Sequence, residues 1–110
     1  MTSLSTHVLD TVRGVPAVGL ALALHDEATG AELARGETDG DGRFRGFPAL
    51  AAGRYRLTFA VGAYFRAAGV ALAEPAFLEE VPVVFGLGGE GHAHVPLLVS
   101  PYAYSTYRGS

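Results

Sequence analysis

The chain has 110 residues, a formal net charge of −3 and 49% hydrophobic residues, which suits one modest core, so we expect a single ordered domain over residues 1–110. No cysteine is present, which excludes disulfide bonds and thiolate chemistry. All eight basic residues are arginine and they form no run, so we expect no nucleic acid as a partner.

The first ten residues, MTSLSTHVLD, lack the basic and apolar regions of a signal peptide. The longest apolar stretch, VPAVGLALAL, is far shorter than the roughly 20 residues that a helix needs to span a membrane. We therefore expect a cytoplasmic protein with no membrane partner.

Turn signals recur about every ten residues and separate short β-prone runs. One stretch, residues 63–74, has the composition of a short helix and is followed by Pro75. The β-prone runs are, in chain order, 5–10 (followed by 11–16), 18–26, 31–38, 43–47, 53–61, 79–87, 92–100 and 102–108, which amount to seven or eight strands. Short strands without βαβ alternation predict an all-β fold, a β-sandwich with one short helix.

Two prolines, Pro82 and Pro96, fall inside predicted strands. Because proline cannot donate to a sheet ladder, they predict edge strands or bulges. A sandwich of this size has exposed edges that need cover, and pairing with another subunit would supply it. We therefore expect the protein to form an oligomer.

His92 and His94 are two positions apart on a predicted strand, so their side chains share a face and lie about 7 Å apart. This spacing occurs in zinc sites, for which His7 is a candidate third ligand. Two unrelated surface histidines fit the same spacing equally well. The pair alone leaves both interpretations open.

The DGDG turn at residues 39–42 is followed by Arg43 and Arg45, which flank Phe44 and so project from one face. The two arginines fit either a solvated strand edge or a clamp for an anion or planar amide, which a guanidinium can bind through two hydrogen bonds. Asp39 and Asp41 are expected to stabilise the turn through backbone hydrogen bonds. There is neither a G-x-S-x-G motif nor a phosphate-binding glycine loop before a helix.

Three blocks carry a resemblance to a known family: LSTHVLDTVRGVPA, TDGDGRF and HAHVPLLVSPYAYSTYRGS. With them the chain resembles the 5-hydroxyisourate hydrolases, the transthyretin-like enzymes of purine catabolism. The terminal YRGS is the most specific part, and the likeness covers essentially the whole chain. It implies a transthyretin-like β-sandwich of two four-stranded sheets with one short helix. It also implies a homotetramer, a dimer of dimers with active sites in the channel between dimers.

The resemblance implies that the enzyme hydrolyses 5-hydroxyisourate without a metal or other cofactor. The implied catalytic residues are His7 and His94, which would activate water, and Arg43, which would stabilise developing charge. The implied substrate-binding residues are His92, Tyr107, Arg108, Gly109 and Ser110. Ala93 replaces the tyrosine that is usual between the two histidines; it should face away from them and alter packing only. The rival functions are zinc-dependent hydrolysis, a transthyretin-type carrier that binds a small ligand without turnover, and a structural sandwich domain with no pocket, which would leave the YRGS ending unexplained.

Overall fold

The computed structural model describes residues 1–109, which form nine β-strands and one helix. The elements are β1 (Ser3–Asp10), β2 (Val15–Pro16), β3 (Ala21–Asp26), β4 (Glu32–Glu37), β5 (Arg43–Phe44), β6 (Gly53–Phe59), α1 (Val61–Ala67), β7 (Val81–Leu87), β8 (His92–Val99) and β9 (Tyr104–Thr106). Within residues 1–109, no helix is long and apolar enough to cross a membrane.

The strands form two sheets around one core. One sheet has the order β4-β3-β6-β7, and the other has the order β2-β1-β8-β9 with β5 also paired to β1. Because β8 occupies one side of β1, the short strands β2 and β5 share its other side, so this sheet is four strands wide. The predicted β-sandwich of two sheets with one short helix is confirmed.

Successive side chains of a strand point to opposite faces of the sheet, so alternate residues face the core. On β1, Leu4 and Val8 are buried in the core, and on β8 the core residues are Ala93, Val95, Leu97 and Val99. The residues between them face outward, and on β8 they include His92 and His94. Ala93 therefore faces away from both histidines, as predicted. The outer face of the β1–β8 pair is left free for polar side chains.

The helix spans Val61–Ala67, so it begins slightly before the predicted range of 63–74 and ends well before that range does. Gly69 has a φ of 81°. It donates its N–H to the carbonyl of Arg66, and Val70 donates to the carbonyl of Phe65. These paired bonds around a left-handed glycine form a Schellman motif, which ends a helix.

The two strand prolines have different surroundings. Pro82 lies on β7, which pairs with β6 and is an edge strand among the described residues, as predicted. Pro96 lies on the central strand β8, so the prediction is wrong there. Leu97 pairs with Thr106 and His94 with Gly109 in one register, which puts Pro96 opposite residue 107. Proline has no N–H to donate there, and β9 ends at Thr106, whose hydroxyl donates to the Pro96 carbonyl (2.8 Å).

Candidate active site

Parallel pairing of β1 and β8 brings two short polar patterns side by side. Ser3 lies opposite His92 and Ser5 lies opposite His94. All four residues alternate with core residues, so they share the outer face of the sheet. The sequence patterns S-x-S and H-x-H thus become one polar patch, although His92 follows Ser5 by 87 positions along the chain.

Serine hydroxyls contact three histidine ring nitrogens in this patch. Ser3 Oγ is 2.6 Å from His92 Nδ1, and Ser5 Oγ is 3.0 Å from His92 Nε2. The same Ser5 oxygen is 2.8 Å from His94 Nδ1. These contacts make a continuous Ser3–His92–Ser5–His94 chain. His94 Nε2 takes no part in it.

The DGDG turn positions Arg43 beside this patch. The Asp39 carboxylate accepts the backbone N–H groups of Asp41 (2.9 Å) and Arg43 (3.0 Å). Gly42 has a φ of 75°, and a Cβ there would lie 2.6 Å from the carbonyl oxygen of Val8. Only glycine suits that position, so the turn closes tightly onto β1. Arg43 is thereby paired with His7 across β5 and β1.

Phe44 fixes which way the neighbouring arginines point. Its ring packs against Phe47 at 4.8 Å, edge to face, and fills the space that side chains at Gly36 and Gly46 would need. With Phe44 packed against the core, Arg43 and Arg45 flank it on the opposite face. Both arginines line the same cleft, as the spacing predicts.

This cleft, which we call the His94 cleft, has a volume of about 520 Å³. Its lining residues are Ser3, Leu4, Ser5, Arg43, Arg45, Phe47, His92 and His94. His7 is not a lining residue, but its neighbours on the outer face are, since Ser5 precedes it by two positions and Arg43 is its antiparallel partner. The volume falls within the roughly 300–1,000 Å³ typical of small-molecule sites.

The protonation state of His94 follows from its surroundings. Burial lowers its pKa below the ordinary value of 6.5, and the charges of Arg43, His7 and His92 lower it further. A lowered histidine pKa means that the ring is neutral at pH 7. His94 therefore has an unshared electron pair with which to accept a proton.

The C-terminal segment divides between two places. The Gly109 N–H donates to the carbonyl of His94 (2.8 Å), and a Cβ on Gly109 would lie 2.6 Å from His94 Cδ2. Tyr107 and Arg108 line a separate cavity of about 200 Å³, next to β7 and the inner face of β8. Ser110 lies outside the described residues. Within one chain, Gly109 is thus the described tail residue that pairs with His94.

The zinc interpretation needs a third ligand near the histidine pair. Across residues 1–109, no group of three or more His, Cys, Asp or Glu side chains is arranged to hold a metal ion. The ring nitrogens of His92 are instead within hydrogen-bond distance of Ser3 and Ser5.

Sequence reasoning missed Ser3 and Ser5. The signal was present as S-x-S-x-H, which places both serines on the face of His7. What the sequence does not state is the parallel register that sets each serine opposite a histidine. Strand partners and registers depend on the whole fold.

The two-sheet sandwich has the transthyretin-like fold, which solved structures of similar proteins share. A model of the HIUase/Transthyretin family matches residues 4–109, and the chain belongs to this family.

Named relatives support the same assignment. A 5-hydroxyisourate hydrolase of Mesorhizobium japonicum is 50% identical over 97% of this chain and 91% of its own. The Klebsiella pneumoniae 5-hydroxyisourate hydrolase structure is 42% identical over the whole of both chains, with a TM-score of 0.87. Sea bream transthyretin in complex with thyroxine is 33% identical over 97% of this chain and 94% of its own, with a TM-score of 0.85.

Proposed function

We propose that the protein is an enzyme of urate breakdown that hydrolyses 5-hydroxyisourate to 2-oxo-4-hydroxy-4-carboxy-5-ureidoimidazoline. The observation that carries the proposal is the His94 cleft, which joins a neutral histidine to two arginines on one sheet face. The similarity to hydrolases of that name along nearly the full chain supports the substrate.

His94 acts as the general base in this mechanism. Its lowered pKa keeps Nε2 free to accept a proton as water attacks a carbonyl of the six-membered ring. His7, which pairs with Arg43 across β1 and β5, helps to hold that water. A well-placed base contributes about 10²–10⁴-fold in rate.

Arg43 stabilises the negative charge that grows on the attacked carbonyl oxygen. A positive group fixed in advance at that position lowers the barrier, because little reorganisation is needed during the reaction. His92 and the tail residues Tyr107, Arg108, Gly109 and Ser110 complete substrate binding. The close approach of Gly109 to His94 supports a place for the tail at the site. The reaction needs no cofactor.

The direct test is an assay with freshly generated 5-hydroxyisourate, because this substrate also decays spontaneously. We expect purified protein to accelerate the loss of its absorbance well beyond the spontaneous rate. An Arg43→Gln variant should lose most of that acceleration, whereas Arg54→Gln, on the other sheet, should keep it. Decay at the spontaneous rate with the wild-type protein would contradict the proposal.

A carrier without turnover is the second candidate, because transthyretin shares the fold and sea bream transthyretin holds thyroxine. The lining of the cleft argues against it. Apart from Leu4 and Phe47, every lining side chain is a serine, arginine or histidine, whereas sites for such ligands are mostly apolar. Saturable thyroxine binding without hydrolysis of 5-hydroxyisourate would favour the carrier.

The proposal includes assembly into a homotetramer, a dimer of dimers. The edge strands β7 and β9 lie next to each other, since one cavity is lined by β7 and by residues 106–108. This open side exposes apolar groups, including Val84 at 49% and Tyr104 at 45%. Unpaired edges with such side chains are usually covered. A cytoplasmic location completes the proposal, and activity confined to another cell fraction would contradict it.

A further inference from the structure

We propose that the hydrogen-bonded chain Ser3–His92–Ser5–His94 is a proton relay, which moves the positive charge that His94 gains from water through Ser5 to the exposed His92. The inference rests on the proposed function, because it needs His94 as the base. Ser5 and His92 are positioning residues for His94 in this scheme, and His92 also receives the proton.

The hydrogen-bond chain allows only two proton orders while both histidines are neutral. Each serine hydroxyl has one proton to donate, and each neutral imidazole has one N–H and one acceptor nitrogen. If every hydrogen bond is donated in the direction of His94, then His94 Nδ1 accepts from Ser5 and His94 Nε2 carries the ring proton. If every hydrogen bond is donated in the direction of Ser3, then His94 Nδ1 donates to Ser5 and His94 Nε2 is free to accept a proton.

The surroundings of Ser3 favour the second order. Its hydroxyl can donate onward to the carbonyl oxygen of Gly91, which is 3.4 Å away. With that bond made, His92 Nδ1–H donates to Ser3 Oγ and Ser5 O–H donates to His92 Nε2. His94 Nδ1–H then donates to Ser5 Oγ. This hydrogen-bond chain thus fixes His94 in the tautomer with its proton on Nδ1, which leaves Nε2 free to act as a base.

The transfer step conserves every atom and charge. After His94 Nε2 has taken a proton from water, His94 Nδ1 gives its proton to Ser5 Oγ. At the same time the Ser5 hydroxyl gives its own proton to His92 Nε2. One proton has moved in total, His94 is neutral again, and His92 carries the positive charge. When the ring nitrogen departs, the relay runs in reverse: His92 returns its proton to Ser5, Ser5 gives its own to His94 Nδ1, and His94 Nε2 gives its proton to the departing nitrogen.

Burial and charge set the direction of the transfer. His94 is half-buried beside Arg43, where a positive ring is poorly hydrated and repelled. His92 is exposed, so water can hydrate its charge. Ser5 is 9% exposed, so bulk water has little access to the oxygen that joins the two rings. The path therefore leads from the crowded end of the chain to the hydrated end.

The kinetic test compares Ser5→Ala with Ser5→Thr, which keeps the hydroxyl. We expect Ser5→Ala to lower kcat about 10–100-fold, the cost typical of removing a group that orients a functional histidine. KM should change little, and Ser5→Thr should restore most of kcat. Ser105→Ala, on β9 of the same sheet, is the matched control and should behave as wild type.

A double variant of Ser5 and His92 tests whether the hydrogen-bonded residues act as one unit. His92→Ala should lower kcat as much as Ser5→Ala does, and the double variant should be no worse than either, because groups that act together are not additive. Wild-type kcat in Ser5→Ala and His92→Ala, with an inactive His94→Ala, would overturn the relay and leave the proposed function standing. A fully active His94→Ala would overturn both.

Nitrogen-15 NMR of the histidine rings provides a readout that does not depend on activity. The relay predicts that neutral His94 carries its proton on Nδ1 in the wild type and becomes a mixture of tautomers in Ser5→Ala. A wild-type His94 with its proton on Nε2 would contradict the proton order.

Discussion

At the scale of single residues, the surroundings of His94 determine the chemistry. Burial comes first among the causes that lower its pKa, and the charge of Arg43 follows. Burial and the charge of Arg43 both lower the pKa of His94, because both disfavour the positively charged ring. The free enzyme should therefore keep its base unprotonated somewhat below pH 6.5.

The first prediction concerns this pKa. The acid limb of kcat/KM should lie below pH 6.5, the ordinary histidine value. In NMR titrations, Arg43→Gln should raise the midpoint of His94 because a repelling charge is gone, whereas the control Arg54→Gln should not. An unchanged His94 midpoint in Arg43→Gln would mean that the guanidinium does not act on the ring.

The second prediction concerns Gly109. A Cβ there would lie 2.6 Å from His94 Cδ2, too close to be tolerated without a shift of the ring or the tail. We expect Gly109→Ala to lower kcat about 10-fold or more, since a small misplacement of a catalytic group is costly. The midpoint of thermal unfolding should change little. Gly86→Ala, which meets no atom within 4 Å, is the control, and equal activity of the two variants would count against the contact.

Most of the candidate residues could be taken from sequence motifs, but their grouping could not. The motifs indicate His7, Arg43 and His94 as candidates, and the turn chemistry of Asp39 was foreseeable from local rules. The roles of Ser5 and Gly109 depend on which strands become neighbours and in what register. That information is distributed over the whole chain, so no local pattern contains it.

At the scale of elements, a buried carboxylate ties the end of β1 to α1. Asp10 is fully buried and accepts hydrogen bonds from the Tyr64 hydroxyl (2.8 Å) and from Arg13 Nε (2.9 Å). Arg13 also donates to the Tyr64 hydroxyl (2.7 Å). Burial alone would raise the pKa of Asp10, but hydrogen bonds from Tyr64 and Arg13 outweigh it, so the pKa lies below the ordinary 3.8.

The third prediction is that Tyr64→Phe destabilises the fold without affecting the site. Loss of a hydrogen bond to a buried charge should lower the free energy of unfolding by about 1–3 kcal/mol. Turnover should be unchanged, because neither Asp10 nor Tyr64 lines the His94 cleft. Tyr102→Phe, at an exposed position, is the control for chemical denaturation. Equal stability of the two variants would show that the Tyr64 hydroxyl contributes nothing.

The fourth prediction is the pH dependence of that stability. A carboxyl whose pKa is lowered by folding stabilises the protein above its unfolded pKa, and this contribution is lost as the pH falls through the folded value. Wild-type stability should therefore decline below about pH 3.8, the ordinary value for Asp10. The decline should be smaller in Tyr64→Phe. Parallel pH profiles would contradict the assignment to Asp10.

Alternation and turn residues predicted the strands of both sheets well. The helix was predicted too long because composition at residues 70–74 favoured it, whereas the left-handed Gly69 ends it. Pro96 was assigned to an edge or bulge because proline removes a donor, yet the structure leaves that gap opposite residue 107, where β9 has already ended. The helix end is therefore a local signal that the prediction missed, whereas the position of Pro96 depends on the tertiary arrangement.

At the scale of the whole molecule, the open side formed by β7 and β9 is where we expect subunits to pair. The fifth prediction is a solution mass about four times the 11.4 kDa of one chain. Val84→Lys on β7 should shift the protein to smaller species, because a charge on an edge strand opposes pairing. Leu33→Lys, on the opposite edge strand β4, should not. A monomeric wild type in light scattering would contradict the assembly.

The central claim is that His94 is the base in the hydrolysis of 5-hydroxyisourate, and the most direct measurement compares wild type with His94→Ala. His25→Ala, on the other sheet, is the control. With freshly generated substrate, the wild type and the control should speed the loss of absorbance. His94→Ala should lower the catalysed rate by about 10²-fold or more while keeping the same solution mass. Near-wild-type turnover by a folded His94→Ala would contradict the claim.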